Sequence, residues 1–464
     1  MKVPPGPKGR EAFGFFGGGS FAGTLEFLQR TARRYGPISS FRLLHKRIYL
    51  VDDADLVRDI LVTQQHKFER DSGAGLLREL VGDALITREE PQHRDRRRVL
   101  QPAFHRDQVA SYAQIMTAEA ARLAEEWQPL ETIDVRDQMR RLTLAIVGAA
   151  LFGADFRESA AQVADVLRRV ASKSRWLAPA FAFIEPAAAL YRRLFPNGRS
   201  LFFESERKQL DRIVAPIVDR RHGSGTKDVV SLLLNTRDPA DEPLSARAVQ
   251  NEVVTFVLAG HETTATALTW TWFLLARNRH VATRLGEELH RVLAMDRPPT
   301  LEDVPELKYT GLVFQEAMRL YPPALAFARR AKEAVQLAGY TIPRHASVFL
   351  SPYVTQRNPK YFPNPEEFIP ERWLEHQQPP KFAYFPFGGG AKMCIGEPFA
   401  RLEGVLALAT LARKWELECI DDDPVGLGTG LLLNPDRPIL MRIRSRPTQV
   451  FQQSSPQPYT IEVQ

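Results

Sequence analysis

The sequence predicts a mainly α chain of the α+β type, and three observations predict it. Apolar residues recur at helical spacing through most of the stretch from about Asp95 to Leu320. After Pro322 the style changes to prolines, glycines and short β-rich runs. No linker, charge block or repeat divides the interior of the 464 residues. One large helical unit with a smaller β-rich part is therefore expected over 1–446, although the length alone would suit two or three ordinary domains.

The β-rich part is expected mainly at 30–70 and 322–360. Its first piece, Phe41 to Asp52, carries Ile48, Leu50 and Val51 ahead of a turn at Asp52–Asp53. Apolar spacing predicts helices over Gln108–Trp127, Asp134–Phe152 and Phe203–Val218. Gly223, Ser224 and Gly225 punctuate before another helix at Val229–Asn235. The stretch from Trp176 to Phe195 is apolar but broken by Pro179 and Pro186, and it reads as a mobile lid or equally as a buried loop. The longest helical pattern runs from Ala246 to Ala276. Gly339–Pro343 and Val348–Leu350 read as short strands, and a last helix follows Gly396 and ends near Trp415. The polar tail over 447–464, rich in Gln, Ser and Pro, is expected to be disordered.

Composition narrows the class. A hydrophobic fraction of 44% with 25% charged residues is that of an ordinary soluble globular protein. The net charge is +7, and Arg94, Arg96, Arg97 and Arg98 hold much of the density. A solvated helix face explains that run, and no nucleic-acid-binding motif accompanies it. An acidic protein partner or an acidic group on a cofactor stays open. The two cysteines, Cys394 and Cys419, cannot build a disulfide framework. The best apolar runs, Leu142–Ala154 and Ala265–Ala276, fall short of the ~20 residues that span a bilayer. MKVPPGPKG has no apolar segment after its Lys, so no signal peptide is read there. A soluble, cytoplasmic monomer is expected, with a trimmed N-terminal membrane anchor as the alternative.

The strongest signal is FGGGAKMCIG, Phe387 to Gly396. Three successive glycines let the backbone turn tightly and come close to a flat ligand. Cys394 then sits just ahead of an apolar helix, where amide N–H groups favour thiolate. A thiolate is the axial ligand that pushes electron density onto haem iron. This loop resembles the signature of the cytochrome P450 family, Phe-x-x-Gly-x-x-x-Cys-x-Gly. One departure is Lys392, where relatives usually carry Arg; Lys reaches a haem propionate as a point charge without the bidentate fork.

Further matches follow in the family's order. Glu316 and Arg319 share a helix face at i, i+3, and Pro370-Glu371-Arg372 closes YFPNPEEFIPERW. The resemblance makes Glu316, Arg319 and Arg372 a structural trio of buried, mutually paired charges. Ala259-Gly260-His261-Glu262-Thr263-Thr264 lies inside the longest helix. Gly260 is costly there by about 1 kcal/mol relative to Ala, and a helix that bulges over bound oxygen would explain it. The resemblance gives Glu262 and Thr263 the role of an acid–alcohol pair delivering protons. His93 and Arg97, in PQHRDRRRVLQPAF, match the helix that reaches over the haem edge, and Arg329 matches another propionate position, with neighbouring Arg330 competing for that register. Phe387, Gly388, Gly396 and Ala259 fall against the haem, with Cys394 as the metal ligand.

The resemblance, which covers Pro4 to about Arg446, implies the cytochrome P450 fold and a haem-thiolate monooxygenase. It implies haem b, O2, and electrons from NAD(P)H through a separate ferredoxin or flavin reductase partner. Ala84, Leu85, Ile86, Val257, Leu258, Ala324, Leu325, Ala326 and Leu432 fall at pocket positions, giving an apolar cavity for a hydrophobic molecule: a fatty acid, terpenoid or steroid-like compound. The style is closer to fatty-acid hydroxylases than to camphor-type members. Rival readings fare worse. His261-Glu262 opens a zinc-protease motif, but Ala265 stands where the second His is needed. Gly426, Gly428 and Gly430 miss the phosphate-loop spacing by one residue. A haem-thiolate peroxygenase or isomerase would not need Glu262 and Thr263, and a non-catalytic haem sensor is the binding-module alternative.

Overall fold

The computed structural model describes residues 2–19, 21–43, 46–71, 73–174, 202–220, 228–237, 243–293, 297–374, 378–428 and 432–446. The expectations placed on Trp176–Phe195, on Gly223–Gly225 and on the tail after Arg446 lie outside those residues.

Six helices carry the argument: α1 Gln92–Leu100, α2 Val135–Phe152, α3 Glu204–Arg220, α4 Ala246–Arg277, α5 Lys308–Leu320 and α6 Glu397–Lys414. Their ends follow from local chemistry. Asp134 caps α2 by accepting from the Arg136 N–H at 3.0 Å, and Gly153 closes it in the left-handed region at φ +53°. Ser245 caps α4 through the Ala248 N–H. The helix expected over Gln108–Trp127 is divided instead into Arg106–Ser111 and Ala113–Glu126, because buried Tyr112 relaxes to ψ −10° between them.

Helix α4 runs through the centre of the main core. Its many threonines are tolerated in that dry setting because Thr255, Thr263, Thr266, Thr269 and Thr271 each donate to the carbonyl four residues back, at 2.7–2.8 Å. The bulge expected at Gly260 is not formed; α4 continues as regular helix through that point. The glycine answers a different need. A β-carbon there would meet Val147 of α2 at 3.0 Å, so Gly260 is where the two helices cross closely. Thr143 of α2 also donates to the His261 carbonyl at 3.0 Å.

The strands are β1 Ile38–Leu43, β2 Lys46–Val51, β3 Phe68–Arg70, β4 Thr132–Asp134, β5 Phe327–Ala331, β6 Val335–Leu337, β7 Tyr340–Ile342, β8 Ser347–Leu350, β9 Trp415–Cys419 and β10 Leu440–Ser445. Five of them form a sheet in the order β1-β2-β8-β5-β3, with β2 and β8 parallel and the other neighbours antiparallel. A β4-β10-β9 sheet and the β6-β7 hairpin complete the β part. Pairing of β3 with β5 sets Arg70 opposite Arg329 and Glu69 opposite Arg330. Like charges directly opposite one another destabilise a sheet, so the arginine pair calls for an anion beside it.

Candidate active site

The loop before α6 is shaped by glycine. Gly388 and Gly390 have φ of +74° and +68°, and a β-carbon on Gly390 would overlap the Leu61 carbonyl oxygen at 1.8 Å. Cys394 N–H donates back to the Phe387 carbonyl at 3.0 Å, and the Arg401 guanidinium lies 5.0 Å from the centre of the Phe387 ring. Burial pushes the Cys394 thiol up, while the amides of Gly396 and Glu397 and the Arg97 charge draw it the other way. Protein atoms crowd this residue, yet its surface is open. One side therefore gives onto a hollow.

Helix α4 has an open patch of its own. Between residues 249 and 275 Ala259 is the one exposed residue, and Thr263, a turn further on, is half-buried. Phe256 of α4 stacks on Phe104 at 5.4 Å, and Phe104 in turn lies 3.9 Å from the point a β-carbon on Gly396 would occupy. The α4 wall and the cysteine loop are thereby joined through two aromatic rings.

Glu262 and Thr263 do not face the same way. Glu262 is buried against α2, where Arg140 Nε donates to its carboxylate at 2.8 Å and a second Arg140 nitrogen makes the bond bidentate. Arg136 and His261 each stand 3.7 Å away. Burial alone would raise this carboxyl; Arg140, His261 and Arg136 outweigh it and hold the group below its ordinary value. The expected acid–alcohol pair is thus split across the helix, because adjacent residues point about 100° apart. Thr263 turns to the open patch of α4 and Glu262 to an arginine clamp.

A cavity of about 580 Å³ opens along the edge of the hollow, and His93, Arg97, Arg329, Lys392, Gly390 and Leu61 are among its lining. Arg97 donates to the Met393 carbonyl at 2.6 Å, and His93 Nδ1 lies 3.0 Å from Glu90. Arg330 pairs with Glu69 at 2.9 Å. Among the described residues Arg329 reaches no carboxylate, only the Ala328 carbonyl at 3.1 Å. Burial, with Arg70 adding to it, pushes Arg329 down to about 10. Burial also lowers Arg70 to about 10 and Lys392 to about 7. Lys392 is paired with Glu89, which also lies 3.5 Å from Arg70.

Behind the cysteine loop the charged trio is assembled. Glu316, Arg319 and Arg372 are buried, with Arg319 Nη2 and Arg372 Nε donating to Glu316 Oε1 at 2.8 and 2.9 Å. Arg319 also donates to the carbonyls of Gln356, Pro365 and Glu367, and Trp373 Nε1 donates to Glu316 Oε2 at 2.9 Å.

The residues expected to form an apolar wall fall into two groups. Leu85, Ile86, Leu258, Ala324, Leu325, Ala326 and Leu432 keep some exposed surface, and the Leu433 N–H donates to the Pro323 carbonyl at 3.0 Å, setting 432–433 beside 324–326. Ala84 and Val257 do not line it. Both are at 0% exposure, whereas a residue on an open hollow keeps accessible surface, so they belong to the core behind the wall.

Comparison with known proteins decides the family. A family model described as Cytochrome P450 matches residues 4–442. This chain belongs to the cytochrome P450 family. It is 35% identical to Cyclooctatin synthase of Streptomyces melanosporofaciens, over 85% of this chain and 86% of that one. It is 31% identical to Pentalenene oxygenase of Streptomyces avermitilis, over 85% of this chain and 88% of that one. The crystal structure of the cytochrome P450DA heme domain superposes with a TM-score of 0.82 at 27% identity, covering 96% of this chain and 98% of that chain.

The family implies haem iron and O2, and the residues present fit them. The rim gathers more buried positive charge than its own acids neutralise, with Arg329 and Arg70 side by side. A porphyrin with two carboxylates would supply the missing anions. Cys394 is an open sulfur with backbone N–H groups aimed at it. Sequence reasoning missed Arg70, Glu89 and Arg140. The expected β-rich part at 30–70 takes in β3, but nothing local announces the pairing of Arg70 with Arg329.

Proposed function

We propose that this P450 inserts one oxygen atom from O2 into a terpenoid-like hydrophobic molecule, with electrons from NAD(P)H delivered by a separate redox partner. Per turnover, substrate, O2, NAD(P)H and a proton become hydroxylated product, water and NAD(P)+. The observation that carries the reading is a single hydroxyl, that of Thr263, half-buried beside the exposed Ala259 in the middle of an otherwise buried helix. The names of the two Streptomyces relatives favour a terpenoid over the fatty acid that the motif style suggested.

Haem, when bound, supplies the binding and reductive activation of O2. The chain's own groups do the rest. Cys394 would hold the iron as a thiolate, and Phe387, whose carbonyl accepts from the Cys394 N–H, would shield the sulfur on one side. Arg97, Arg329, His93 and Lys392 are assigned to the propionates. Gly388, Gly396 and Ala259 would leave room for a flat ring. Thr263 holds a hydroxyl proton at Oγ1, which donates to the Ala259 carbonyl at 2.7 Å and keeps its lone pairs toward the hollow. Glu262 acts at one remove, fixing α4 against α2 through Arg140. The pocket wall of Leu85, Ile86, Leu258, Ala324, Leu325, Ala326 and Leu432 offers apolar surface, which orients a hydrocarbon and excludes water.

The test is turnover of the purified holoenzyme with NADPH and added ferredoxin and flavin reductases, against a panel of terpenes and fatty acids. Oxygenated product with incorporation from labelled O2 is expected. Product formed only with peroxide would favour the peroxygenase reading, and no product from any donor would favour the sensor.

A further inference from the structure

About two turns before Ala259, α4 carries a second acid whose place calls for explanation. Glu252 is at 0% exposure. Both of its carboxylate oxygens accept from one backbone N–H, that of Leu85, at 3.1 and 3.0 Å. Arg96 Nε of α1 lies 3.3 Å from the same carboxylate. One buried charge thus ties together α4, the turn Leu85–Thr87 and α1, the helix that presents His93 and Arg97 to the rim.

The turn's other bonds are local or on its outer side, apart from a long contact in which Asn251 Nδ2 of α4 donates to the Asp83 carbonyl at 3.5 Å. Thr87 Oγ1 accepts from the Ala84 N–H at 3.0 Å and donates to the Gly82 carbonyl at 2.8 Å. Asp83 pairs with Arg78 and Arg88, both at 2.7 Å. Asn251 packs beneath Gly82, leaving no room for a β-carbon there. Among the described residues Glu252 is the buried acid on the inner side of this turn, with Arg96 as its charged partner.

We propose that Glu252 is a specificity-determining positioning residue: it seats the turn that brings Leu85 and Ile86 to the hollow. The inference rests on the pocket wall described under the monooxygenase reading. A charge-assisted hydrogen bond is roughly twice as strong as a neutral one, and a dry setting strengthens it further. Without that acceptor the Leu85 N–H is stranded and the turn shifts. The wall at Leu85 and Ile86 then changes shape, while the Cys394 and Thr263 side keeps its own supports.

Acidification should act in the same direction. Burial pushes the Glu252 carboxyl up to about 7, against the Leu85 N–H, Arg96 and Arg88, with Asp83 adding to the rise. The charged form that grips Leu85 and Arg96 is present above that pH and is lost as pH falls through it.

The experiment compares wild-type holoenzyme with Glu252→Gln and Glu252→Ala. Farnesol, which fills an apolar hollow, and imidazole, a small iron ligand that does not reach the turn, are titrated by spectral shift. Hydrogen exchange of the peptide over 82–88 is followed at one pH. In Glu252→Gln the farnesol Kd should rise about tenfold, the imidazole Kd should stay within about twofold, and the 82–88 amides should exchange faster. Wild-type affinity for farnesol should weaken from pH 8 to pH 6, and the Gln variant should respond little. If farnesol and imidazole weaken together, or exchange over 82–88 is unchanged, the proposal fails. Should Glu252→Ala not fold, the isosteric Gln variant decides. The exchange arm needs no ligand, so it decides even where farnesol binds poorly. Wild-type protein without haem would overturn the monooxygenase reading itself, a result distinct from a normal haem site with an unaltered turn.

Discussion

Thr263 and Thr264 are adjacent on α4, yet the fold gives them different work. Thr263 is half-buried with its hydroxyl donating to the Ala259 carbonyl at 2.7 Å, whereas Thr264 is 3% exposed and donates to the Gly260 carbonyl at 3.4 Å, with the buried Glu403 of α6 nearby. Positioned proton transfer contributes about 10²–10⁴-fold. Thr263→Ala should keep the haem spectrum, substrate binding and NADPH consumption near normal, while product per NADPH falls about tenfold or more and peroxide rises. Thr264→Ala should leave coupling nearly intact and instead lower thermal stability, because the buried Glu403 carboxyl loses its hydroxyl neighbour. Equal coupling in the two variants would remove Thr263 from the mechanism. The split between Glu262 and Thr263 was not legible in the sequence. Adjacent residues on any helix diverge by about 100°, but which of them meets a hollow depends on where Arg140 of α2 lies.

At the scale of elements, the charged trio shows how a meander is held beneath the cysteine loop. Arg319, at 0% exposure, joins α5 to three carbonyls of the 356–367 segment, and Glu316 joins α5 to Arg372 and Trp373. A surface ion pair would be worth little, but stranding one partner of a buried pair costs about 3–5 kcal/mol. Arg319→Ala should therefore give little haem-loaded protein and a markedly lower thermal midpoint, measured by haem content and circular dichroism. A stable, fully loaded variant would show that the meander is held by packing alone. The spacing of Glu316 and Arg319 and the later Arg372 made this trio readable. The helices over 135–152, 246–277 and 397–414 were equally readable, since caps and apolar period agreed with tertiary burial. The break at Tyr112 was not, because the apolar period runs through it unchanged. Arg70 stayed hidden because its importance arises from cross-strand register with Arg329, a partner far along the chain. Gly260 was flagged correctly as costly, but the cause is the crossing of α2, which no single helix reveals.

For the molecule as a whole, the positive charge is divided between an inner rim and an outer groove. Lys392 belongs to the rim, paired with Glu89, so it is not part of the surface that steers a partner. Arg94 and Arg98 are exposed and line a groove of about 730 Å³ together with Arg97, His105, Asp107 and Gln108. An acidic redox partner steered to this face should transfer electrons more slowly as salt rises, since the Debye length is about 8 Å at physiological ionic strength. Arg98→Glu should slow the low-salt rate and flatten the salt dependence in stopped-flow reduction. A rate indifferent to salt in wild type would reject steering while leaving the enzyme assignment intact. Among the described residues no helix is long and apolar enough to cross a membrane, and this groove is open to a partner. The chemistry proposed for this chain converges on one sulfur. The measurement that tests it most directly is the spectrum of the reduced, carbon monoxide-bound protein, taken for wild type, Cys394→His and Cys419→Ser. Wild type and Cys419→Ser should show the long-wavelength band of thiolate ligation, and Cys394→His should lack it. A band that survives in Cys394→His, or that disappears in Cys419→Ser, would contradict the assignment of Cys394 as the haem ligand.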